Sequence, residues 1–271
     1  MKYEILHNLS VPKIGFGCWS IGGESTANPT EDERSLTALR SAIDLGYTHF
    51  DTAEYYAAGH SEELLGQAVR ESGKPRDSFF ITTKVSPEHL GYDDVLRSCA
   101  ASLKRLKMES LDLYLIHWPA RRMNLPETFR ALNQLVRDGQ VRYLGVSNFN
   151  LKLLQEAQAL SETPLLTNQV PYSLRDRRYV ENGVLAYCQA NDILLTAYSP
   201  IKSRFFKGKK LAEFARAKAS TPFQIGLAWL VQQPRVITIP TSFNPQHQAE
   251  NLAAMDIHFS DEEMASLNNL A

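Results

Sequence analysis

Four ionisable side chains lie at or just after short apolar stretches, and their types could together protonate a carbonyl oxygen. They are Asp51, Lys84, His117 and one of the adjacent phenols Tyr55 and Tyr56. An ammonium beside a phenol stabilises the phenolate, which lowers the phenol pKa and makes it a better acid near neutral pH. A carboxylate would keep the lysine charged, and an imidazole would direct a carbonyl oxygen toward the phenol. Singly, each has a plainer explanation as a helix cap, a surface lysine, a packed loop aromatic or a core histidine.

The segment 111–119, LDLYLIHWP, indicates where such side chains lie in the fold. Residues 112–116 are largely apolar, which is typical of a strand buried on both faces of a parallel sheet. Pro119 has no N–H to donate to a neighbouring strand, so the strand must end before it. His117 and Trp118 are therefore predicted at the carboxyl end of a buried strand, where parallel α/β folds bind ligands.

Strands and helices are predicted to alternate along the whole chain. The predicted strands are 14–17, 47–51, 79–84, 112–116, 141–146, 165–167, 193–197 and 236–239. The predicted helices are 30–45, 62–71, 93–108, 126–137, one capped by Asn150, 179–191 and 221–232, then two that begin at Asn244 and Ser260. Capping boxes are predicted at 30–33, 221–224 and 260–263.

Polar strand-end residues recur about every 30 residues, the length of one β-α-β unit. Eight such units without a dividing linker favour a closed (β/α)8 TIM barrel, with residues 1–271 as a single domain. A short hairpin is expected in residues 1–13, and extra helices near the C-terminus. The third glycine of GxGxxG is missing after the first strand, which argues against a Rossmann nucleotide site. In a barrel all carboxyl ends of strands open to one mouth, so Asp51, Lys84 and His117 are predicted to converge there.

Composition narrows the class of protein. The chain has 271 residues, 44% hydrophobic and 22% charged, which is ordinary for a globular protein with a full core. The net charge of −1 argues against a nucleic-acid or membrane-surface partner. Three scattered cysteines predict reduced thiols rather than a disulfide framework or a zinc site. The first residues contain no apolar signal segment, so a soluble, cytoplasmic protein is expected, and we expect a monomer.

Several short motifs occur in a specific order along nearly the whole chain. They are GFGCW at 15–19, DTAEYY at 51–56, GHSEELLG at 59–66, ITTK at 81–84, LIHWP at 115–119, GVSNF at 145–149, NQV at 168–170 and YSP at 198–200. With these motifs the chain resembles the aldo-keto reductase superfamily, in particular its small prokaryotic, diketogluconate-reductase-like members. The resemblance implies a (β/α)8 fold and NAD(P)H-dependent reduction of aldehydes and ketones to alcohols.

The resemblance also implies roles for individual residues. Asp51, Tyr56, Lys84 and His117 would form the catalytic tetrad, with Tyr56 as general acid because it lies five positions after Asp51. Trp19 and Trp118 would line the substrate pocket, although core packing is an alternative for both. The remaining implied cofactor contacts are Ser147, Asn148 and Gln169 to the carboxamide, Tyr198 on the nicotinamide ring, and Ser199, Ile201, Arg204, Thr241, Ser242, Phe243, His247, Glu250 and Asn251 elsewhere. No metal is expected.

The adenosine-phosphate motif departs from the family pattern. Thr241 and His247 stand where the family usually carries a lysine and an arginine, which weakens the expected preference for the 2′-phosphate of NADPH. Two features partly offset the loss: the helix that begins at Asn244 presents free N–H groups to an anion, and a basic segment follows the seventh strand. Arg204 in that segment is predicted to contact the cofactor phosphates. We predict NADP(H) rather than NAD(H), with dual use left open.

The substrate is predicted to be a small carbonyl compound. A short loop after His117 and a chain that ends soon after the last helix predict an open pocket with broad use of small aldehydes and ketones. Arg121 and Arg122 could contact an anionic sugar acid, or they could be ordinary surface residues. Two alternatives stay open: a lyase that forms a Schiff base on Lys84, and a non-catalytic cofactor-binding subunit.

Overall fold

The computed structural model describes residues 2–6, 8–202 and 204–270. Two antiparallel strands come first, β1 (Tyr3–Leu6) and β2 (Leu9–Pro12). Eight parallel strands follow: β3 (Phe16–Gly17), β4 (His49–Asp51), β5 (Phe80–Val85), β6 (Leu111–Ile116), β7 (Val141–Ser147), β8 (Thr167–Pro171), β9 (Leu194–Tyr198) and β10 (Val236–Thr238). The helices of the described residues are α1 (Asp32–Asp44), α2 (His60–Glu71), α3 (Tyr92–Leu106), α4 (Leu125–Arg137), α5 (Leu151–Leu160), α6 (Arg178–Glu181), α7 (Val184–Ala190), α8 (Lys209–Ala217), α9 (Pro222–Gln232), α10 (Pro245–Ala253) and α11 (Asp261–Asn268).

The parallel strands form a closed barrel. Each strand from β3 to β10 pairs with the next one along the chain, as expected for repeated β-α-β units. The ring closes where Ile14, just before β3, bridges Thr238 of β10, and the Gly15 N–H donates to the Thr238 carbonyl at 2.8 Å. The predicted (β/α)8 barrel with an N-terminal hairpin and additional C-terminal helices is confirmed.

An apolar plug fills the end of the barrel opposite the mouth. Leu6 and Val11 of the hairpin pack in one cluster with Leu113 and Leu115 of β6. Side chains alternate between the two faces of a strand, so the residue two positions beyond Leu115 also faces the interior. That residue is His117, which lies above the plug at the carboxyl end of β6. The same alternation carries Asp51 of β4 and Lys84 of β5 to the mouth.

A larger core joins the barrel to its surrounding helices. In α4, Leu125, Phe129, Leu132 and Leu135 are all buried, a spacing that places them on one helical stripe. Several helix starts agree with the sequence: Asn150 accepts from the Leu153 N–H at 3.0 Å, and the capping boxes at Thr221 and Ser260 are both formed. No helix in the described part of the chain is long and apolar enough to cross a membrane.

The predicted capping box at 30–33 is wrong. A 3-10 turn, Pro29–Glu31, precedes α1, and the Thr30 hydroxyl donates to the Asn28 side chain at 2.7 Å. Thr30 lies inside this turn, so it does not cap α1. The turn begins with Pro29, which is well suited to the first position of a helical turn and starts it earlier than predicted.

Two further element boundaries differ from the prediction. The helix expected over 179–191 is divided into α6 and α7 by Gly183, whose φ of 84° is left-handed. The sixth barrel strand was predicted at 165–167 but is β8, which continues through polar Asn168 and Gln169. The apolar run predicts where a strand is buried, whereas polar side chains that line the mouth extend the strand past that run.

Candidate active site

The mouth of the barrel contains a cavity of about 540 Å³. The predicted catalytic and substrate residues that line it are Asp51, Tyr56, His117, Trp19 and Trp118. The predicted cofactor residues that line it are Ser147, Asn148, Gln169, Tyr198, Ser199, Ile201 and Thr241. The fold thus brings together residues from seven barrel strands or the loops that follow them.

A buried lysine connects the carboxylate to one phenol. The Lys84 ammonium donates to Asp51 Oδ1 at 2.5 Å, to the Thr52 carbonyl at 2.8 Å and to the Tyr56 hydroxyl at 3.2 Å. Lys84 and Asp51 are both almost completely buried, and a buried charge pair needs this kind of full hydrogen bonding. Tyr55, the other candidate phenol, is 41% exposed. The contact with Lys84 therefore selects Tyr56 as the phenol that belongs to the cluster.

Burial and charge act in opposite directions on the pKa values of this cluster. Burial by itself would lower the pKa of Lys84, but the Asp51 carboxylate and Tyr56 raise it above its usual value, so the lysine is charged. Burial raises the pKa of Tyr56, and the nearby Lys84 ammonium only partly opposes this. The net direction differs from the sequence-based expectation of a lowered phenol pKa, because the enclosure of the phenol outweighs the lysine.

His117 is a neutral imidazole in this environment. Burial and, to a lesser extent, the Lys84 charge lower its pKa to about 2. Its ring stacks on Trp118 with centroids 3.7 Å apart and meets the Tyr56 ring edge-on at 5.4 Å. His117 Nδ1 is buried and has no hydrogen-bond partner among the described residues. A neutral imidazole still carries one N–H and can therefore donate a hydrogen bond without adding charge to the cavity.

An amide network joins the ends of β7, β8 and β9. The Gln169 side chain donates to the second carboxylate oxygen of Asp51 at 2.7 Å, and the Ser147 hydroxyl donates to the backbone carbonyl of Gln169 at 2.8 Å. The Tyr198 hydroxyl donates to Asn148 Oδ1 at 2.8 Å. Asn148 itself has a φ of 63°, a left-handed conformation that asparagine tolerates better than most residues. Asn148 Nδ2 donates to Ser147 Oγ at 3.0 Å, so the network fixes four amide or hydroxyl groups at the cavity wall and ties them to Asp51.

Two tryptophans line the opening, and Tyr55 packs against both of them. Trp19 and Trp118 are each 36% exposed, and Trp19 stacks on Tyr55 at 6.3 Å. Trp19 also contacts the edge of Tyr56 at 5.0 Å. Both tryptophans are too exposed for the alternative role of core packing. They offer apolar surface to a ligand beside Tyr56 and His117.

The other predicted cofactor residues lie outside the described lining of this cavity. They are Arg204, Ser242, Phe243, His247, Glu250 and Asn251. Thr241 lines the cavity and donates to the Gly17 carbonyl at 2.6 Å, so the segment that leads to α10 is fixed to the barrel. Asn244 caps α10 by accepting from the Gln246 N–H at 2.9 Å, and Arg204 is exposed in a 3-10 turn, Arg204–Lys207.

Two charged residues near these segments, Glu24 and Arg34, were not predicted from the sequence. Glu24 and Lys202 line the cavity. Arg34 of α1 places its guanidinium 4.5 Å from the centre of the Phe243 ring. No local signal identifies Glu24 or Arg34, because each reaches its neighbours through the tertiary fold. Lys202 lies in the basic segment that the sequence did single out.

A closed β/α barrel with a buried carboxylate–ammonium–phenol cluster and a neutral histidine at its mouth contains the groups that proton transfer to a bound ligand requires. The chain belongs to the aldo/keto reductase family, whose model matches residues 13–271. It is therefore an NAD(P)H-dependent oxidoreductase that acts on carbonyl compounds.

Relatives and solved structures are similar to this chain over all or nearly all of its length. Methylglyoxal reductase YeaE from Escherichia coli (strain K12) is 34% identical over 268 residues, which cover 96% of this chain and 91% of that protein. The crystal structure of the thermostable aldo-keto reductase Tm1743 has a TM-score of 0.96 and 44% identity, with 100% of both chains covered. The structure of an aldo-keto reductase from Klebsiella pneumoniae in complex with NADPH has a TM-score of 0.89 and 35% identity, and covers 100% of this chain and 95% of that one.

Proposed function

We propose that this enzyme reduces small, uncharged aldehydes and ketones with NADPH, and that Tyr56 is the general acid. The observation that carries the proposal is Lys84, which is hydrogen-bonded at once to Asp51 and to the Tyr56 hydroxyl beneath the cavity. Phenol, ammonium and carboxylate form a continuous chain of contacts that ends at an open ligand site. His117 and the two tryptophans border the same site.

The donors and acceptors at the cavity wall fit a nicotinamide carboxamide. Ser147 Oγ, the Asn148 side chain and the Gln169 side chain present hydroxyl and amide groups there, and a carboxamide both donates and accepts hydrogen bonds. The Tyr198 ring lies beside them and offers a stacking surface. The reduced nicotinamide would supply a hydride to the carbonyl carbon. The chain's own contribution is to hold the ring and the substrate in a fixed relative orientation.

The proton reaches the substrate from Tyr56. As negative charge develops on the carbonyl oxygen, the Tyr56 hydroxyl transfers its proton to that oxygen, and the Lys84 ammonium stabilises the phenolate that remains. Asp51 keeps Lys84 charged and in place. Neutral His117 donates its N–H to the carbonyl oxygen and orients it toward the phenol. The product alcohol receives one hydride and one proton, and the phenolate regains its proton from solvent.

The negative charge of Glu24 favours an uncharged substrate over a carboxylated one. Glu24 lines the cavity and joins no ion pair among the described residues. Lys202, which also lines it, follows Ser199 and Ile201, which the resemblance assigns to the cofactor. Arg121 and Arg122, the candidate contacts for a sugar acid, are not among the described residues that line the cavity. A related protein carries the name methylglyoxal reductase, and an α-dicarbonyl of this kind is small and uncharged. These observations support uncharged carbonyls over carboxylated ones.

Replacement of Glu24 tests this charge preference. In Glu24→Gln we expect kcat/KM for an anionic aldehyde such as succinic semialdehyde to rise about threefold to fivefold, since the removed repulsion is about 1 kcal/mol across partly aqueous space. The value for methylglyoxal should change less than about twofold. Glu88→Gln, at an exposed glutamate outside the described cavity lining, is the matched control. Equal changes for both substrates in Glu24→Gln would contradict the proposed selection.

We further propose that Arg34 and Arg204 replace the missing cations of the adenosine-phosphate motif. Arg34 stacks on Phe243, and Phe243 belongs to the segment that the resemblance assigns to the adenosine end of the cofactor. Arg204 lies in the basic 3-10 turn that follows Ile201 and Lys202 of the cavity lining. A guanidinium is well suited to a phosphate because it donates parallel hydrogen bonds.

A comparison of NADPH with NADH in two arginine variants tests the cofactor proposal. Arg34→Ala should weaken NADPH binding about tenfold and leave NADH binding within about twofold, because only the charge-assisted contact to the extra phosphate is lost. Arg204→Ala should lower the NADPH-to-NADH ratio of kcat/KM about threefold. Dissociation constants from nicotinamide fluorescence and steady-state ratios measure both effects. Arg40→Ala is the control, because Arg40 also lies on α1 and pairs with Glu71 at 2.9 Å, as Arg34 does with Glu31, but only Arg34 stacks on Phe243.

The lyase alternative requires a neutral lysine amine. Lys84 is instead completely buried and charged, with its three donors directed at Asp51, Thr52 and Tyr56. Borohydride added to enzyme and substrate would trap a covalent adduct on Lys84 if a Schiff base formed. The proposed reductase mechanism predicts no adduct by mass spectrometry.

Loss of nicotinamide absorbance with methylglyoxal as substrate tests the proposed function directly. Saturable consumption of NADPH that requires the carbonyl compound is expected. NADPH binding without turnover of any small aldehyde would favour the non-catalytic cofactor-binding subunit. The single domain over residues 1–271, the monomeric state and the cytoplasmic location stay predictions.

A further inference from the structure

The turn that carries Tyr56 has an unfavourable backbone conformation. It is a 3-10 turn, Tyr56–Gly59, in which Ala57 and Ala58 have φ values of 50° and 53°, and Gly59 follows at 92°. Left-handed conformations are unfavourable for residues with a Cβ, and two non-glycine residues in succession are rare. Such a conformation persists only when the surrounding structure holds it. The Ala57 N–H donates to the Glu24 carbonyl at 2.6 Å, which is one such restraint.

His60 provides a second restraint directly after the turn. Its backbone N–H donates to the carbonyls of Tyr56 and Ala57. Its ring is held from both sides, by Asp32 of α1 to Nε2 at 2.8 Å and by Glu63 of α2 to Nδ1 at 2.8 Å. The ring also packs on Gly22, where an added Cβ would come within 2.9 Å of His60 Cδ2. His60 therefore connects the Tyr56 turn to α1 and to the loop between β3 and α1.

We propose that His60 is a positioning residue for Tyr56, and that its two ion pairs hold the strained turn so that the phenol stays on Lys84. This inference rests on the proposed role of Tyr56 as general acid. His60 is outside the described lining of the cavity, so it acts through the turn and touches no substrate. The ion pairs hold the ring side chain while the backbone N–H holds the two carbonyls, and both are needed to keep the left-handed residues in place.

The double ion pair makes this restraint depend on pH. Two N–H donors on one imidazole require the protonated form. Burial would lower the pKa of His60, but Glu63 and Asp32 outweigh it and raise the pKa above 6.5. The charged groups bonded to the ring are Asp32 from α1 and Glu63 from α2, while Gly22 on the third side is uncharged. The restraint is complete below the pKa of an unfolded histidine and is lost as pH rises through the raised pKa.

The pH dependence of kcat tests the inference. With saturating NADPH and methylglyoxal between about pH 5.5 and about pH 9, the wild type should lose activity with an apparent pKa above about 6.5. The pKa of Tyr56 is raised above its usual value near 10, so its own titration lies outside this range. His60→Gln should have about one tenth of the wild-type kcat near pH 6 and no such pH dependence. His258→Gln, at an exposed histidine bonded to Lys2, should behave as wild type.

Two measurements keep the test decisive if His60→Gln does not fold. Asp32→Asn removes one of the two carboxylates, so the pKa of His60 should fall and the loss of activity should move to lower pH. Proton NMR of the His60 ring measures the pKa. Amide exchange at Ala57, compared at one pH, should be faster in His60→Gln or Asp32→Asn than in wild type. An active enzyme whose pH profile is the same in wild type, His60→Gln and Asp32→Asn would overturn the role of His60. A wild-type enzyme without any carbonyl reduction would instead overturn the proposed function.

Discussion

Tyr56→Phe is expected to lower kcat by about 10³-fold, within the range for removal of a positioned general acid. The substitution deletes the hydroxyl that Lys84 contacts at 3.2 Å and keeps the aromatic ring that packs on Trp19 and His117. Lys84 retains Asp51 and the Thr52 carbonyl as acceptors, so the fold should lose no more than about 1 kcal/mol. The dissociation constant for NADPH should change by less than about twofold, because the phenol acts on the carbonyl oxygen.

Tyr55→Phe is the matched control for this prediction. Tyr55 is the same residue type one position earlier, half-exposed, and stacked on Trp19. Its hydroxyl has no hydrogen bond to Lys84 among the described contacts, so kcat should stay within about threefold of wild type. If Tyr55→Phe lost turnover while Tyr56→Phe stayed active, the assignment of the acid would be wrong.

Lys84→Met is expected to abolish measurable turnover and to destabilise the protein by about 3–5 kcal/mol, the usual effect of removing one partner of a buried ion pair. Asp51 would keep its contact with Gln169 at 2.7 Å but would remain as a buried carboxylate without its cation. Tyr56 would lose the charge that stabilises its phenolate. Urea unfolding followed by circular dichroism measures the stability change, and the NADPH-coupled assay measures the turnover.

A double variant separates stability from catalysis. Asp51→Asn combined with Lys84→Met removes both buried charges, so it should recover about 1–3 kcal/mol relative to Lys84→Met alone. Turnover should remain absent, because no cation is left beside Tyr56. Recovery of activity together with stability would show that Lys84 serves only the fold and would remove it from the proposed mechanism.

Strand ends explain why much of the site could be predicted. A parallel barrel strand is an apolar run, and the first polar residues after it lie at a common mouth. Asp51, Lys84 and His117 were located in this way from their own segments, because side-chain alternation is a local property of the chain. The helix caps at Asn150, Thr221 and Ser260 could also be predicted locally, since each cap side chain bonds a backbone N–H only three residues later. The cap at Thr30 failed because Pro29 began a different turn.

The sequence by itself determined the barrel, the family and the set of ionisable groups at its mouth, since these follow from local periodicity and motif order. The tertiary structure decided which phenol contacts Lys84 and that burial raises the pKa of Tyr56. It also decided that Glu24 lines the cavity and that Arg34 contacts Phe243. It also decided that His60 lies between two carboxylates beside a strained turn. The physical reason is that desolvation and electrostatic energies depend on distances between residues far apart in the chain, and no spacing along the sequence contains them.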